Sequence, residues 1–306
     1  MRRNFLCGNP PSREERRKTM TYYKTEKMDG YYRIGSPEGV FCYLVEGTEK
    51  AALIDTGYGY GDLKGAVRGI TDKPLLIFDT HGHLDHTCGN GLFEEPCYIG
   101  EKDMELCRRH TSREMRKDSM ERAKHSVNYE TGEEFNGLPE GFDEEEFLSR
   151  GCGNLVPVKE GDTFDLGGAT LKVYETPGHT QGGISLLYEE KNLLFIGDAT
   201  GFFVWLFSDE TTDLDTYVAA VQKMYDLNCD GYLGGHNPQT IRREELPRYI
   251  RAAREADYDS GQPFQAFFGM EFEPRVCALD GMTLDDMFKP GFASVVIGKD
   301  KRKERK

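Results

Sequence analysis

Thr80-His81-Gly82-His83-Leu84-Asp85-His86 is the stretch that decides how this chain is read. Three imidazoles and one carboxylate fall within six residues. The apolar run Leu75-Leu76-Ile77-Phe78 leads into it and reads as a strand buried on both faces. A tight loop at the end of such a strand can turn these side chains toward one point. Imidazole and carboxylate are the usual ligands of zinc and of related divalent ions. The chain holds only seven histidines in 306 residues, so three at positions 81, 83 and 86 exceed what packing asks for.

Outward from that loop, other strand ends carry ligand-type side chains. His179 lies in Thr176-Pro177-Gly178-His179-Thr180, after a strand ending near Glu175. Asp198 lies in Ile196-Gly197-Asp198-Ala199, at the end of the return strand of a hairpin (Ile184–Tyr188, then Leu193–Ile196). His236 lies in Gly234-Gly235-His236-Asn237-Pro238, after Tyr232-Leu233. A first hairpin, Val40–Glu46 with Ala51–Asp55, has a similar layout and also ends in an aspartate, Asp55. Two hairpins of one design suggest an internally duplicated β-rich architecture. His110 and His125 have no such context and read as a solvated helix face.

The run His81-x-His83-x-Asp85-His86, followed by isolated His179, Asp198 and His236, resembles the metallo-β-lactamase superfamily of metal-dependent hydrolases. Leu53-Ile54-Asp55-Thr56-Gly57 is similar to that family's early Asp-Thr-Gly turn. The resemblance covers about Gly39 to Pro238. It implies an α+β fold, a four-layer αββα sandwich with a helical or irregular insertion and the metals at one sheet edge. It also implies two divalent ions, zinc by default with manganese or iron as alternatives. His81, His83 and His179 would hold one ion; Asp85, His86 and His236 would hold the other; Asp198 would bridge them. Asp85 and Asp198 would thereby serve catalysis, and Asp55 would orient a ligand through a hydrogen bond. A hydroxide shared by the ions would attack an ester-like carbonyl, with no Ser or Cys nucleophile needed.

Departures within the family narrow the reading. Aspartate at 198, not cysteine or serine, resembles the thioesterase, lactonase and phosphodiesterase branches more than the antibiotic-hydrolysing ones. Histidine at 83 favours hydrolysis over the iron-dependent redox members, which commonly carry a carboxylate there. Ala199-Thr200-Gly201 follows Asp198 where homoserine-lactone lactonases carry a tyrosine. The expected function is cleavage of a lactone, thioester or related carbonyl in a small, partly apolar molecule. The alternatives are a phosphodiesterase or nuclease, and a metal-dependent oxidoreductase. Phe202, Phe203 and Trp205, joined by Tyr58 and Tyr60, are expected to wall the substrate pocket.

The remaining sequence sets the frame. Residues 1–30 read as a polar arm, 31–260 as the hydrolase domain and 261–306 as an extension with a strand near Ala293–Ile297 and a basic tail. Residues 101–150 are dense in charge and read as an insertion, with one or two helices over Lys102–His125. It is expected to lid the pocket, or else to join two copies of the chain in a homodimer. Its arginines, Arg108, Arg109, Arg113 and Arg116, read as a solvated helix face. With 39 Lys and Arg against 53 Asp and Glu, the formal net charge of −14 argues against nucleic-acid partners. No apolar run reaches the length of about 18 residues that a membrane span needs. Eight cysteines without a C-x-x-C pair, and no recognisable secretion signal, suggest reduced thiols in the cytoplasm.

Overall fold

The computed structural model describes residues 22–127, 133–265 and 273–301. Strands β1 (Lys24–Lys27), β2 (Tyr31–Gly35), β3 (Phe41–Glu46) and β4 (Ala51–Ile54) precede helix α1 (Leu63–Arg68) and strand β5 (Leu75–Asp79). The four-residue helix α2 (Leu84–Thr87) and β6 (Pro96–Gly100) follow. Helices α3 (Met104–His110) and α4 (Arg113–Ala123), the small ladder of β7 (Ser126–Val127) with β8 (Glu134–Phe135), and α5 (Glu144–Ser149) make up the insertion. Strands β9 (Asn154–Val158), β10 (Thr163–Asp165), β11 (Thr170–Glu175), β12 (Ile184–Tyr188), β13 (Leu193–Gly197) and β14 (Phe203–Leu206) lead to α6 (Leu214–Leu227). The chain continues through β15 (Gly231–Gly234), α7 (Leu246–Glu255), β16 (Gln262–Pro263), β17 (Arg275–Ala278) and β18 (Ser294–Ile297).

Alternation along the strands builds the layers. In β3, Tyr43 and Val45 face one way and Cys42 and Leu44 the other. In β13, Leu193 and Phe195 oppose Leu194 and Ile196 in the same manner. The first sheet has the order β1-β2-β3-β4-β5-β6-β9 and the second β10-β11-β12-β13-β15. Tyr43, Val45, Ile54 and Phe78 of the first sheet meet Val173, Ile184, Leu186 and Phe195 of the second. The outer face of the first sheet packs on Leu63, Ala66 and Val67 of α1. The outer face of the second packs on α6 and α7, through Tyr217, Val221, Met224, Tyr249 and Ile250. Helix, sheet, sheet and helix are thus four layers, and the central strands have two apolar faces because both are covered.

The duplication read from the hairpins is present in the sheets. Pairing of β2-β3-β4-β5 runs antiparallel, antiparallel, parallel. Pairing of β11-β12-β13-β15 runs the same way. In each half the return strand ends at an aspartate, and the parallel strand after it ends at histidine. The C-terminal ends of β4, β5, β11, β13 and β15 therefore collect at one edge of the sandwich.

Two expectations change. The first sheet begins at β1, before the Tyr31 start expected, because Lys24–Lys27 pairs in register with Tyr32–Gly35 and Tyr23 is buried. The residues after 261 are no appendage: β18 pairs in parallel with β14, and β16 and β17 complete a sheet of order β14-β18-β17-β16. The insertion shares its core with the sandwich, since Met120, Ala123, Phe147 and Leu148 pack on Tyr60 and Tyr22. The basic tail after Lys301 and residues 1–21 of the arm lie outside the described residues. The seven described cysteines are free, and among the described residues no helix is long and apolar enough to cross a membrane.

Candidate metal centre

The segment after β5 gives four of the candidate donors, His81, His83, Asp85 and His86. His83 caps the N-terminus of α2 in an extended conformation, and Asp85 and His86 fall on its single turn. The His86 carbonyl accepts from the Thr56 amide at 2.8 Å, which ties α2 to the turn after β4. His179 follows β11, Asp198 follows β13 and His236 follows β15. Gly235 allows the last of these to approach: a Cβ there would lie 2.5 Å from His86 Cε1 and 2.8 Å from an Asp198 oxygen.

All seven side chains expected as ligands meet at this edge. His83 Nδ1 lies 3.1 Å from His81 Nε2 and 2.9 Å from His179 Nε2. His236 Nε2 lies 3.2 Å from Asp85 Oδ2 and 3.4 Å from His86 Nε2. Asp198 Oδ2 stands between these groups, 3.8 Å from His179 Nε2, 3.6 Å from His86 Nε2 and 3.2 Å from His236 Nε2. Ligand atoms on a tetrahedral ion with bonds of about 2.0 Å are separated by about 3.3 Å. The donor set therefore fits two divalent ions in spacing as well as in chemistry.

Hydrogen bonds from behind set the rings. Asp55 adopts a left-handed φ of 60°, a strained turn that aspartate tolerates better than most residues. That turn points Oδ2 at His86 Nδ1, 2.8 Å away. The same carboxylate accepts from the Thr80 amide at 2.7 Å and the Thr80 hydroxyl at 2.9 Å. The Trp205 carbonyl lies 2.9 Å from His179 Nδ1, so β14 and the C-terminal sheet paired to it bear on the centre. Each such bond places the N–H away from the site and leaves Nε2 as the free lone pair.

Two carboxylates at the site carried no sequence signal. Asp103 is buried and accepts from the Gly82 amide at 2.9 Å and the Gly182 amide at 2.7 Å. It clamps the loop of His81 and His83 to that of His179. Glu210, on the loop after β14, has an oxygen 3.4 Å from His83 Nε2. Neither belongs to a recognisable motif, and each reaches its partners only through the tertiary fold.

Other expectations divide. His125 is exposed, but His110 stacks on His83 with ring centroids 4.9 Å apart. It belongs to the rim of the centre because α3 docks beside α2. Arg116 is wholly buried, whereas Arg108 and Arg113 are exposed. Tyr60 is only 4% exposed and bonds to Ser119, so it serves the insertion core and not a pocket wall. Tyr58 stacks on it at 5.1 Å. Burial and the nearby Asp85 charge push the Tyr58 phenol well above its ordinary range. Phe202 packs into the core against Phe292. Phe203 and Trp205 remain half-buried on the other face of β14, against Phe264.

Residues 35–236 match the family described as the metallo-beta-lactamase superfamily. The chain belongs to the metallo-β-lactamase superfamily. Members of this superfamily use divalent metals, and the chain is accordingly an enzyme of the hydrolase class. An acyl-coenzyme A thioesterase, MBLAC2 of Gallus gallus, is 28% identical over 213 residues, covering 65% of this chain and 71% of the relative. Thioesterase pkgB of Emericella nidulans is 38% identical over 103 residues, which cover 31% of this chain and 28% of that protein. In fold, the superfamily member from Pontibacter korlensis aligns with a TM-score of 0.54 at 17% identity, over 76% of this chain and all of that one.

The charges at the centre predict how metal uptake depends on pH. Burial would raise the Asp198 carboxyl, but His236 and His86 outweigh it and hold it well below the usual range. Burial and the neighbouring imidazoles keep His81 low, and burial together with His83 brings His179 down to about 4. Burial would lower His236 as well, yet Asp198 and Asp85 push it up to about 10. Its side chain is 43% exposed, so water screens part of that shift. His86 is raised by Asp55, Asp198 and Asp85 against the same burial effect. An imidazole raised on folding stabilises the metal-free fold fully below its ordinary pKa of about 6.5, and that benefit fades as pH climbs through the raised value. Over the same window protons cease to compete with metal. Binding near pH 7.5 will release about one proton from each of His86 and His236. Titration calorimetry in buffers of different ionisation enthalpy measures this; zero release would contradict the charge assignment.

Proposed function

We propose that this chain is a thioesterase, holding two zinc ions through His81, His83, His179, Asp85, His86, His236 and the bridging Asp198. The observation that carries the reading is Asp198 Oδ2, set between the two groups of donors. The thioesterase names of MBLAC2 and pkgB select the bond. When bound, two such ions supply an activated water and a Lewis acid for the carbonyl oxygen.

The protein's own groups then bind and orient. Asp55 and the Trp205 carbonyl hold His86 and His179 with Nε2 forward. The half-buried aromatic face of Phe203, Trp205 and Phe264 adjoins the His179 loop and suits an apolar acyl chain. Tyr58, beside Asp85, is neutral and keeps its phenolic proton for donation to a substrate oxygen. Water adds across the acyl C–S bond to give a carboxylic acid and a thiol.

The insertion arginines favour this reading over phosphodiester cleavage. Arg108 pairs with Glu105, Arg113 with Glu145 and Arg109 with Glu210, while Arg116 is buried. The test is hydrolysis by the zinc-loaded full chain of acyl-CoA thioesters of graded length, lactones, β-lactams and phosphodiesters. Thioesters should exceed every other class by at least about tenfold in kcat/KM, the lower end of what simple contacts discriminate. Turnover of phosphodiesters alone, or of lactones above thioesters, would overturn the assignment.

A further inference from the structure

His83 differs from the other histidines of the centre. His81, His86, His179 and His236 bring Nε2 to the cluster, whereas His83 brings Nδ1. Its Nε2 therefore points outward, to Glu210 Oε1 at 3.4 Å. A carboxylate thus faces the outer nitrogen of His83, as Asp55 faces that of His86 at the shorter distance of 2.8 Å. We propose that Glu210 is a positioning residue, fixing His83 with its proton on Nε2 and its Nδ1 lone pair on the first metal. The inference rests on the donor set above and not on the choice of a thioester substrate.

The surroundings of Glu210 are built for that task. Its loop is closed by the Thr211 amide and hydroxyl, both donating to the Ser208 carbonyl, at 3.1 and 2.8 Å. The Thr212 amide donates to the Gly178 carbonyl at 2.9 Å, locking this loop to the one that carries His179. From α3, Arg109 Nη2 lies 3.6 Å from Glu210 Oε2, and His110 Nε2 lies 4.0 Å from Oε1. The insertion thereby reaches the centre: Arg109 faces Glu210, and His110 stacks on His83.

His83, His110 and Glu210 also have the composition of a separate metal site, with donor atoms within 4.8 Å of one another. Chemistry favours an N–H facing the carboxylate. His83 has one lone pair while neutral, and Nδ1 directs it at His81 and His179; a second ion on Nε2 would require an imidazolate.

Zinc affinity, measured by chelator competition on the full chain, tests the proposal without turnover. Glu210→Ala should weaken one ion by about 10–100-fold and leave the other within about threefold. Glu210→Gln, which keeps an acceptor oxygen at the same reach, should recover most of that loss. In the zinc-loaded wild type, imidazole 1H–15N correlation should place the His83 proton on Nε2. The proposal is overturned if Glu210→Ala binds both ions like the wild type, or if Gln is as weak as Ala. It is equally overturned by a His83 proton on Nδ1, or by a third zinc equivalent that Glu210→Gln abolishes. A thioester panel that stays silent while these affinities shift would count against the substrate and not against Glu210.

Discussion

Asp198→Ala will lower kcat/KM for the best substrate by at least about a thousandfold, a loss of about 4 kcal/mol in transition-state stabilisation. Two effects add. The carboxylate lies within reach of both groups of histidines, so in the proposed site its removal would take a ligand from each ion. It also leaves His86 and His236 with less negative charge to face, which disturbs their protonation in the metal-free protein. Metal analysis should find the content of the purified variant reduced by about half or more. Circular dichroism should match the wild type, because Asp198 lies in a loop and bears no part of the core. Retention of full metal and activity would remove the bridge from the proposed site.

Arg116→Ala carries the largest expected cost in stability, about 4 kcal/mol. The side chain is completely buried and donates to three carbonyls: Thr111 at 2.9 Å, Cys88 at 2.9 Å and Gly151 at 3.1 Å. Its guanidinium lies 5.2 Å from the Phe147 ring centroid. Truncation orphans all three acceptors and opens a cavity beneath Phe147. Lysine should recover only part, since an ammonium lacks the planar fork that spans separate carbonyls. Urea unfolding of the metal-free chain reads the effect, and a loss under about 1 kcal/mol would mean the insertion is not held by this residue. Because Cys88 follows α2 directly, metal affinity should fall with it.

The asymmetry between these residues explains what could be read in advance. Asp198 stands in a Gly-Asp turn after an apolar hairpin, and local pattern exposes it. Arg116 sits among Glu114, Lys117 and Asp118 on a helix whose sequence alternates charge. Nothing local distinguishes it from exposed Arg113, because its burial comes from Gly151 and Cys88, 35 and 28 residues away. The strand expected near Ala293–Ile297 is present as β18, but the rim position of His110 and the pairing of β18 with β14 and β17 went unread for the same reason. Tyr60 and Phe202 look like free aromatics beside ligand loops, and only packing assigns them to cores.

The sequence by itself picked out the candidate donors, the order in which they appear and the layered plan. Strand alternation, turn glycines and clustered imidazoles are short-range features, written within a few residues of one another. Tertiary structure decided which nitrogen each histidine offers and what stands behind it. Asp103 joins Gly82 and Gly182 across 79 residues of chain on one side, and Glu210 meets His83 from a loop with no motif at all. A hydrogen bond between distant segments has no periodicity, so it exists only once the two sheets have closed and brought their edges together.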